Sequence, residues 1–138
     1  MKFELKHLTA YLPYETKIIE NDDIVATMSI DHNWPKREVC INRIYLFPAL
    51  YKLVLRPLSD LGVEIKHGNE KFIPIYRLFT NTKELIIKEL IIKELTFKQT
   101  EIMKVPYWVA VKLLEWHFDV FRLIDKGLAI DIKTLNQN

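Results

Sequence analysis

The pattern of apolar and polar positions is sharpest in the last quarter of the chain, Pro106–Ile132, which reads PYWVAVKLLEWHFDVFRLIDKGLAIDI. At 100° per residue, Lys112, Glu115, Asp119, Arg122 and Lys126 fall on one narrow stripe at i, i+3 and i+4 spacings. Nearly every other position is apolar. Tyr107, Val111, Leu114, Phe118 and Phe121 lie on one flank, and Val109, Leu113, Trp116, Val120 and Leu123 on the other. A helix with so thin a polar stripe is mostly buried. Pro106 suits the first helical position, where its missing N–H has no partner to lose. Gly127 suits the left-handed residue just past a helix end. The pattern therefore predicts a central helix over Pro106–Lys126, roughly 30 Å long. A short half-buried strand follows, with Leu128, Ile130 and Ile132 alternating against Ala129 and Asp131.

Upstream the period changes. Leu5, Leu8 and Leu12 have helical spacing, and Pro13 ends that segment because the residue before a proline resists the helical region. Tyr14–Glu20 reads as extended, Asn21-Asp22-Asp23 as a turn and Ile24–Asp31 as a strand rich in β-formers. Glu38–Tyr45 and Leu50–Leu55 read as further strands, and Pro57 opens a turn of helix closed by Gly62. Val63–Lys66 and Lys71–Ile75 flank His67-Gly68-Asn69 as a hairpin. About five or six short strands in this region predict a β-meander or small barrel. The expected fold class is α+β: an N-terminal β-meander or small barrel packed on a long C-terminal helix, followed by a short strand. The whole chain, 1–138, is expected to form one domain, with 1–78 mainly β, 80–104 a variable repeat segment and 106–132 the core helix plus strand.

Lys83–Phe97 is an internal repeat, KELII KELII KELTF. A period of five matches neither helix nor strand, so its apolar residues spread round a helix instead of forming one face. Glu84–Lys88, Glu89–Lys93 and Glu94–Lys98 are nevertheless favourable i, i+4 pairs. Helix and strand both remain open. A local duplication and an exposed apolar ridge for a partner are the competing explanations.

Composition narrows the chemistry. With 49% hydrophobic and 12% aromatic residues the chain is not disordered. Three glycines and no G-x-G-x-x-G or G-x-x-x-x-G-K-[ST] exclude Gly-rich phosphate loops. H-E-x-x-H, G-x-S-x-G and EF-hand patterns are missing too, and the four histidines are scattered. Cys40 is alone, which excludes an intramolecular disulfide and a cysteine-based zinc site. It is expected to be a small buried hydrophobe. The opening MKFELKHL has no apolar signal region, and no run approaches ~18 apolar residues, so a cytoplasmic protein is expected. His117 falls nearly opposite the polar stripe, among Leu113, Phe121 and Ile124. A neutral core imidazole bonded to a backbone carbonyl is the expected state. A metal pair would need a second ligand at i+4 on that face, and none is there. A pH-sensitive packing element is the remaining possibility. No catalytic residue, metal or cofactor is expected, and the chain is not expected to be an enzyme.

The net charge of +2, from 20 basic and 18 acidic residues, does not demand a polyanion. No basic run exceeds Lys36-Arg37, so free nucleic acid is an unlikely ligand. Tyr11, Tyr14, Trp34, Tyr45, Phe47, Tyr51 and Tyr76 interleave with Lys17, Lys36, Arg37, Arg43, Lys52 and Arg56. Core packing accounts for most of these aromatics. The rest are of the kind that protein interfaces enrich. Trp34, Lys36, Arg37 and Tyr45 are the candidate partner-binding residues, with the Lys83–Phe97 ridge beside them.

Three segments carry a resemblance: LKHLTAYLPYETK, LVLRPLSDLGVEI and YWVAVKLLEWHFDVFRLIDKGLAIDIKTL. Together, over about half the chain, they resemble a group of small proteins from phages and prophages of Bacteroidetes bacteria. EWHFDVF…KGLAIDI is the most specific block, and Thr80–Lys104 departs from the group's pattern. No catalytic residues can be carried over. The resemblance implies a phage or mobile-element product acting in the bacterial host's cytoplasm. Such proteins often bind and disable a host defence component, so an anti-CRISPR-like inhibitor of a bacterial protein or ribonucleoprotein, such as a CRISPR effector, is the expected function. A small nucleic-acid-binding or DNA-packaging accessory protein is the alternative.

Overall fold

The sheet grows from one hairpin. Lys17–Glu20 (β1) and Ile24–Ser29 (β2) pair antiparallel, with Ile18 opposite Ala26 and Ile19 opposite Val25. Tyr51–Leu55 (β4) lies antiparallel along the other side of β1, placing Leu53 opposite Ile18. Glu38–Cys40 (β3) adds parallel to β2, and Ala129–Asp131 (β7) adds parallel to β4. The order is β3-β2-β1-β4-β7, with β3 and β7 as the edges. Ile18, Leu53 and Leu55 are fully buried on one face, and Ile19 and Val54 are buried on the other. Burial on both faces explains why these strands read as apolar runs without alternation. The structure is a computed structural model that describes residues 2–21, 24–30, 38–78 and 107–137.

A second, two-stranded sheet pairs Ile65–His67 (β5) with Glu70–Phe72 (β6) around Gly68-Asn69. Gly68 has φ +62°, the left-handed value needed at the first central position of a II′ hairpin turn. Four short α-helices complete the described chain: Leu5–Tyr11 (α1), Ile41–Leu46 (α2), Pro74–Leu78 (α3) and Tyr107–Glu115 (α4). Pro13 does stop α1, which tightens into a 3₁₀ turn over Leu12–Tyr14. Pro57 and Gly62 bracket the expected single turn, a 3₁₀ segment at Leu58–Gly62. Phe3, Leu8, Ile44, Leu113, Phe118 and Leu123 close over the sheet as one core with its buried strand residues.

The class is α+β, as the pattern predicted, but two elements differ. The long helix over Pro106–Lys126 is not formed: α4 ends at Glu115. His117 takes φ +63°, Phe118 N–H bonds Leu113 O at 2.9 Å, and His117 N–H bonds Leu114 O at 3.0 Å. That is a Schellman stop with histidine where glycine is usual. The chain then coils again. Leu128 N–H reaches Leu123 O at 2.9 Å and Gly127 N–H reaches Ile124 O at 3.1 Å, a second stop of the same kind around Gly127. Helical periodicity thus survives across a break that it does not reveal. The second difference is Glu38–Tyr45, expected as strand. It turns helical at Ile41, because Ile44 then points into the core while Asn42, Arg43 and Tyr45 face out. With two parallel edge pairs and the open order β3-β2-β1-β4-β7, the sheet is mixed and open, neither a meander nor a closed barrel.

Candidate functional site

Among the described residues, two places concentrate polar or apolar side chains beyond what the core needs. The first is a joint at the end of α4. β4 runs one residue past Leu55, so that Arg56 N–H bonds His117 O at 2.7 Å and Asp119 N–H bonds Arg56 O at 2.8 Å. The Arg56 side chain is buried. Its Nε donates to Trp116 O at 3.0 Å, satisfying a carbonyl at the helix end, and its Nη2 donates to Lys66 O in the hairpin at 2.9 Å. Tyr11, fully buried, donates its hydroxyl proton to Phe118 O and accepts from Val120 N–H at 3.1 Å. Asp119, also buried, accepts from Leu123 N–H at 2.7 Å and Ile124 N–H at 2.9 Å. Each of these side-chain hydrogen bonds goes to backbone.

His117 completes the joint. Its Nε2 lies 2.7 Å from Tyr14 O, and since a carbonyl only accepts, Nε2 carries the proton of a neutral ring. The ring meets His67 edge-on, with centroids 5.2 Å apart. Burial, then the nearby cationic groups His67, Arg56 and Lys17, push its pKa down to about 4, despite the Tyr14 bond that favours the charged form. His67 is lowered too, by burial first and then by Arg56. Burial pushes the Tyr11 hydroxyl well above its usual value and raises the Asp119 carboxyl, although the two N–H donors at Asp119 pull the other way. The expected bond from His117 to a backbone carbonyl is present, but the residue is half-buried and does not sit in the core. Its left-handed backbone was not foreseen. His7 behaves similarly in α1: its Nδ1 accepts Glu4 N–H at 3.1 Å, its ring sits 5.0 Å from Phe121, and burial lowers its pKa.

The second place is an apolar corner at the α2–β4 turn. Tyr45, Leu46, Phe47 and Leu50 are 48%, 67%, 51% and 39% exposed. Their backbone is nonetheless pinned. Phe47 N–H bonds Arg43 O at 3.0 Å, Leu50 N–H bonds Phe47 O at 3.1 Å, and Leu50 O accepts from Asn21 N–H at 2.9 Å. Beneath them Ile44 and Tyr51 are buried. Arg43 Nε donates to Tyr51 Oη at 2.5 Å, and that hydroxyl lies 3.3 Å from Glu20. Four large apolar side chains are thus held outward on a fixed frame, with Arg43 at their rim.

Of the sequence candidates, Tyr45 lies in this corner. Trp34, Lys36, Arg37 and the Lys83–Phe97 ridge lie outside the described residues. Tyr11 and Tyr51 are buried, in keeping with core packing for most of the aromatics, and Arg56 from the interleaved bases is buried with them. Cys40 is half-buried, less enclosed than expected. A shallow groove of about 500 Å³ runs between Leu12–Pro13 and the Thr27–Ile30 stretch, with Glu15 and Glu38 on its walls. Among the described residues no three His, Cys, Asp or Glu side chains are grouped to hold a metal ion, and no helix is long and apolar enough to cross a membrane. Comparison with protein-family models, with curated proteins and with solved structures gives no match.

Proposed function

We propose that this chain is a non-enzymatic protein-binding module whose described contact surface is the Tyr45–Leu50 corner. The observation behind it is the exposure of four large apolar side chains on a backbone pinned by the Phe47–Arg43, Leu50–Phe47 and Asn21–Leu50 hydrogen bonds. Such a patch keeps its shape before binding, which removes much of the ordering cost of association. Tyrosine, phenylalanine and a rim arginine are the residues that dominate binding energy at protein interfaces. The charge balance favours a protein or ribonucleoprotein over bare nucleic acid. In the setting that the sequence resemblance implies, the partner is a bacterial defence effector and the mode is stoichiometric, anti-CRISPR-like inhibition in the host cytoplasm.

The test is affinity capture from a Bacteroidetes host lysate, with the wild-type chain and a Leu46→Asp/Phe47→Asp variant run in parallel. A protein retained by the first in near-equimolar amount and lost by the second supports the proposal. Equal capture by both, or capture of nucleic acid with no protein partner, contradicts it. The second outcome would move the function to the nucleic-acid alternative.

A further inference from the structure

The joint at the end of α4 brings three cationic or potentially cationic groups together, Arg56 buried and His67 and His117 half-buried. Arg56 is permanently charged, and it bridges the helix end at Trp116 O and the hairpin at Lys66 O. His67, on β5 next to Lys66, and His117 are in ring contact. The charge of Lys17, exposed at the start of β1, also acts on His117. The acids nearby are already engaged. Glu70 and Glu115 act on His67, but Glu70 is paired with Arg77, and Glu115 with Lys112 at 3.2 Å. Asp60 and Asp131 act on Arg56, and Lys133 holds both, at 3.1 and 3.7 Å.

The position of the new proton is fixed by the existing bond. Nε2–H of His117 is committed to Tyr14 O, so acid adds its proton at Nδ1. The Tyr14 contact survives this and strengthens, since a charged donor makes the better bond. The strain falls on the other side, where the ring now sets a positive charge against Arg56 and His67.

We propose that Arg56, His67 and His117 form an acid-triggered latch: a proton on His117 releases the β5–β6 hairpin from the end of α4 while the five-stranded sheet stays folded. The hairpin is attached there through the Arg56–Lys66 bond, the imidazole pair and the Phe72–Trp116 ring contact at 5.0 Å. The sheet, by contrast, is held by ladders that contain no histidine. A small set of local contacts can open well below the cost of global unfolding.

Amide hydrogen exchange followed by NMR on the full chain from pH 7.5 to 3.5, with the His117 ring resonances read in the same samples, tests this. After correction for intrinsic rates, the amides of Ile65 and Phe72 should lose protection at least about tenfold more than those of Ile18 and Leu53, in step with His117 protonation. His117→Asn tolerates the left-handed backbone and carries no titratable ring, so it should abolish the step. His67→Asn should move the midpoint upward by removing a repelling neighbour. Simultaneous loss of protection in hairpin and sheet overturns the latch. So does an unchanged step in His117→Asn, or an unmoved midpoint in His67→Asn. Should His117→Asn fail to fold, the wild-type profile and the His67→Asn midpoint decide the matter.

Discussion

The joint at α4 and the corner at α2–β4 are built from similar residues put to opposite use. Each has a tyrosine, an arginine and large apolar side chains. In the joint, Tyr11 and Arg56 turn inward, and their polar atoms close carbonyls and N–H groups that a broken helix leaves open. In the corner, Tyr45, Leu46 and Phe47 turn outward, and the polar bonding is done by backbone beneath them. Burial of polar groups only with partners is the rule for a stable interior. Apolar groups left outside on an ordered frame are what a partner surface requires. The difference separates the residues that hold the fold from those proposed to act.

The largest expected effect lies in the joint. Phe118 is fully buried and packs at the centre of the core, so Phe118→Ala should cost about 3–5 kcal/mol, read as a drop in urea midpoint. A midpoint within error of wild type would mean that the helix end is not part of the core. Trp116→Ala should fall in the same range, whereas half-buried Phe121 should cost less. Tyr11→Phe comes next. It keeps the ring but removes the hydroxyl bonds to Phe118 O and Val120 N–H, which then keep only their bond to each other at 3.0 Å, for a loss of about 1 kcal/mol.

Acid should act on the joint and spare the corner. His117 has a folded pKa of about 4 against an ordinary value of 6.5. The folded chain therefore binds its proton less readily than the unfolded chain. Stability from this group is complete above about pH 6.5, falls as the pH drops toward 4 and changes no further below that. The full shift corresponds to roughly 3 kcal/mol, and opening of the hairpin limits how much of it global unfolding registers. His7, lowered by burial, adds a loss of the same sign. Urea titrations at pH 7.5 and pH 4.5 should show the decrease, and His117→Asn should make it smaller. An equal decrease in that variant would remove His117 from the account.

The smallest stability effect belongs to the corner. Leu46→Asp and Phe47→Asp replace exposed side chains and should each change stability by less than about 0.5 kcal/mol. A loss of several kcal/mol from either would show that the corner is core, and the contrast with the joint would collapse.

How much of this was readable beforehand depends on whether the signal is local. Pro13, Pro57 and Gly68 punctuate the chain where the sequence says they should, and Ile18-Ile19, Leu53 and Leu55 form strands as their β-rich runs predict. The end of α4 was hidden because the apolar spacing of the sequence continues past Glu115, although the chain there turns through two left-handed residues, His117 and Arg122. The stop at His117 depends on Arg56, whose backbone pairs with His117 and Asp119 from 60-odd positions away in the chain. No neighbouring residue announces it. The VCINRIY stretch misled for a related reason: β-branched residues favour a strand, and only the tertiary need to bury Ile44 selects the helix. Tyr45 was singled out by type and is indeed exposed. Leu46 and Leu50 were passed over, because a leucine advertises burial unless the surrounding fold holds it outward. Arg56 was misjudged in the opposite direction, its charge suggesting surface while its donors serve the interior.

Site-specific photo-crosslinking tests the division of labour most directly. A benzophenone amino acid is placed at Phe47 and, as controls, at Val63 and Leu5, which are 53% exposed and lie outside the corner. Each chain is irradiated in host lysate after nuclease treatment, and adducts are resolved by mass. The account predicts one discrete protein adduct from position 47 and none from 63 or 5. Equal labelling from all three positions, or an adduct from a control alone, would contradict it.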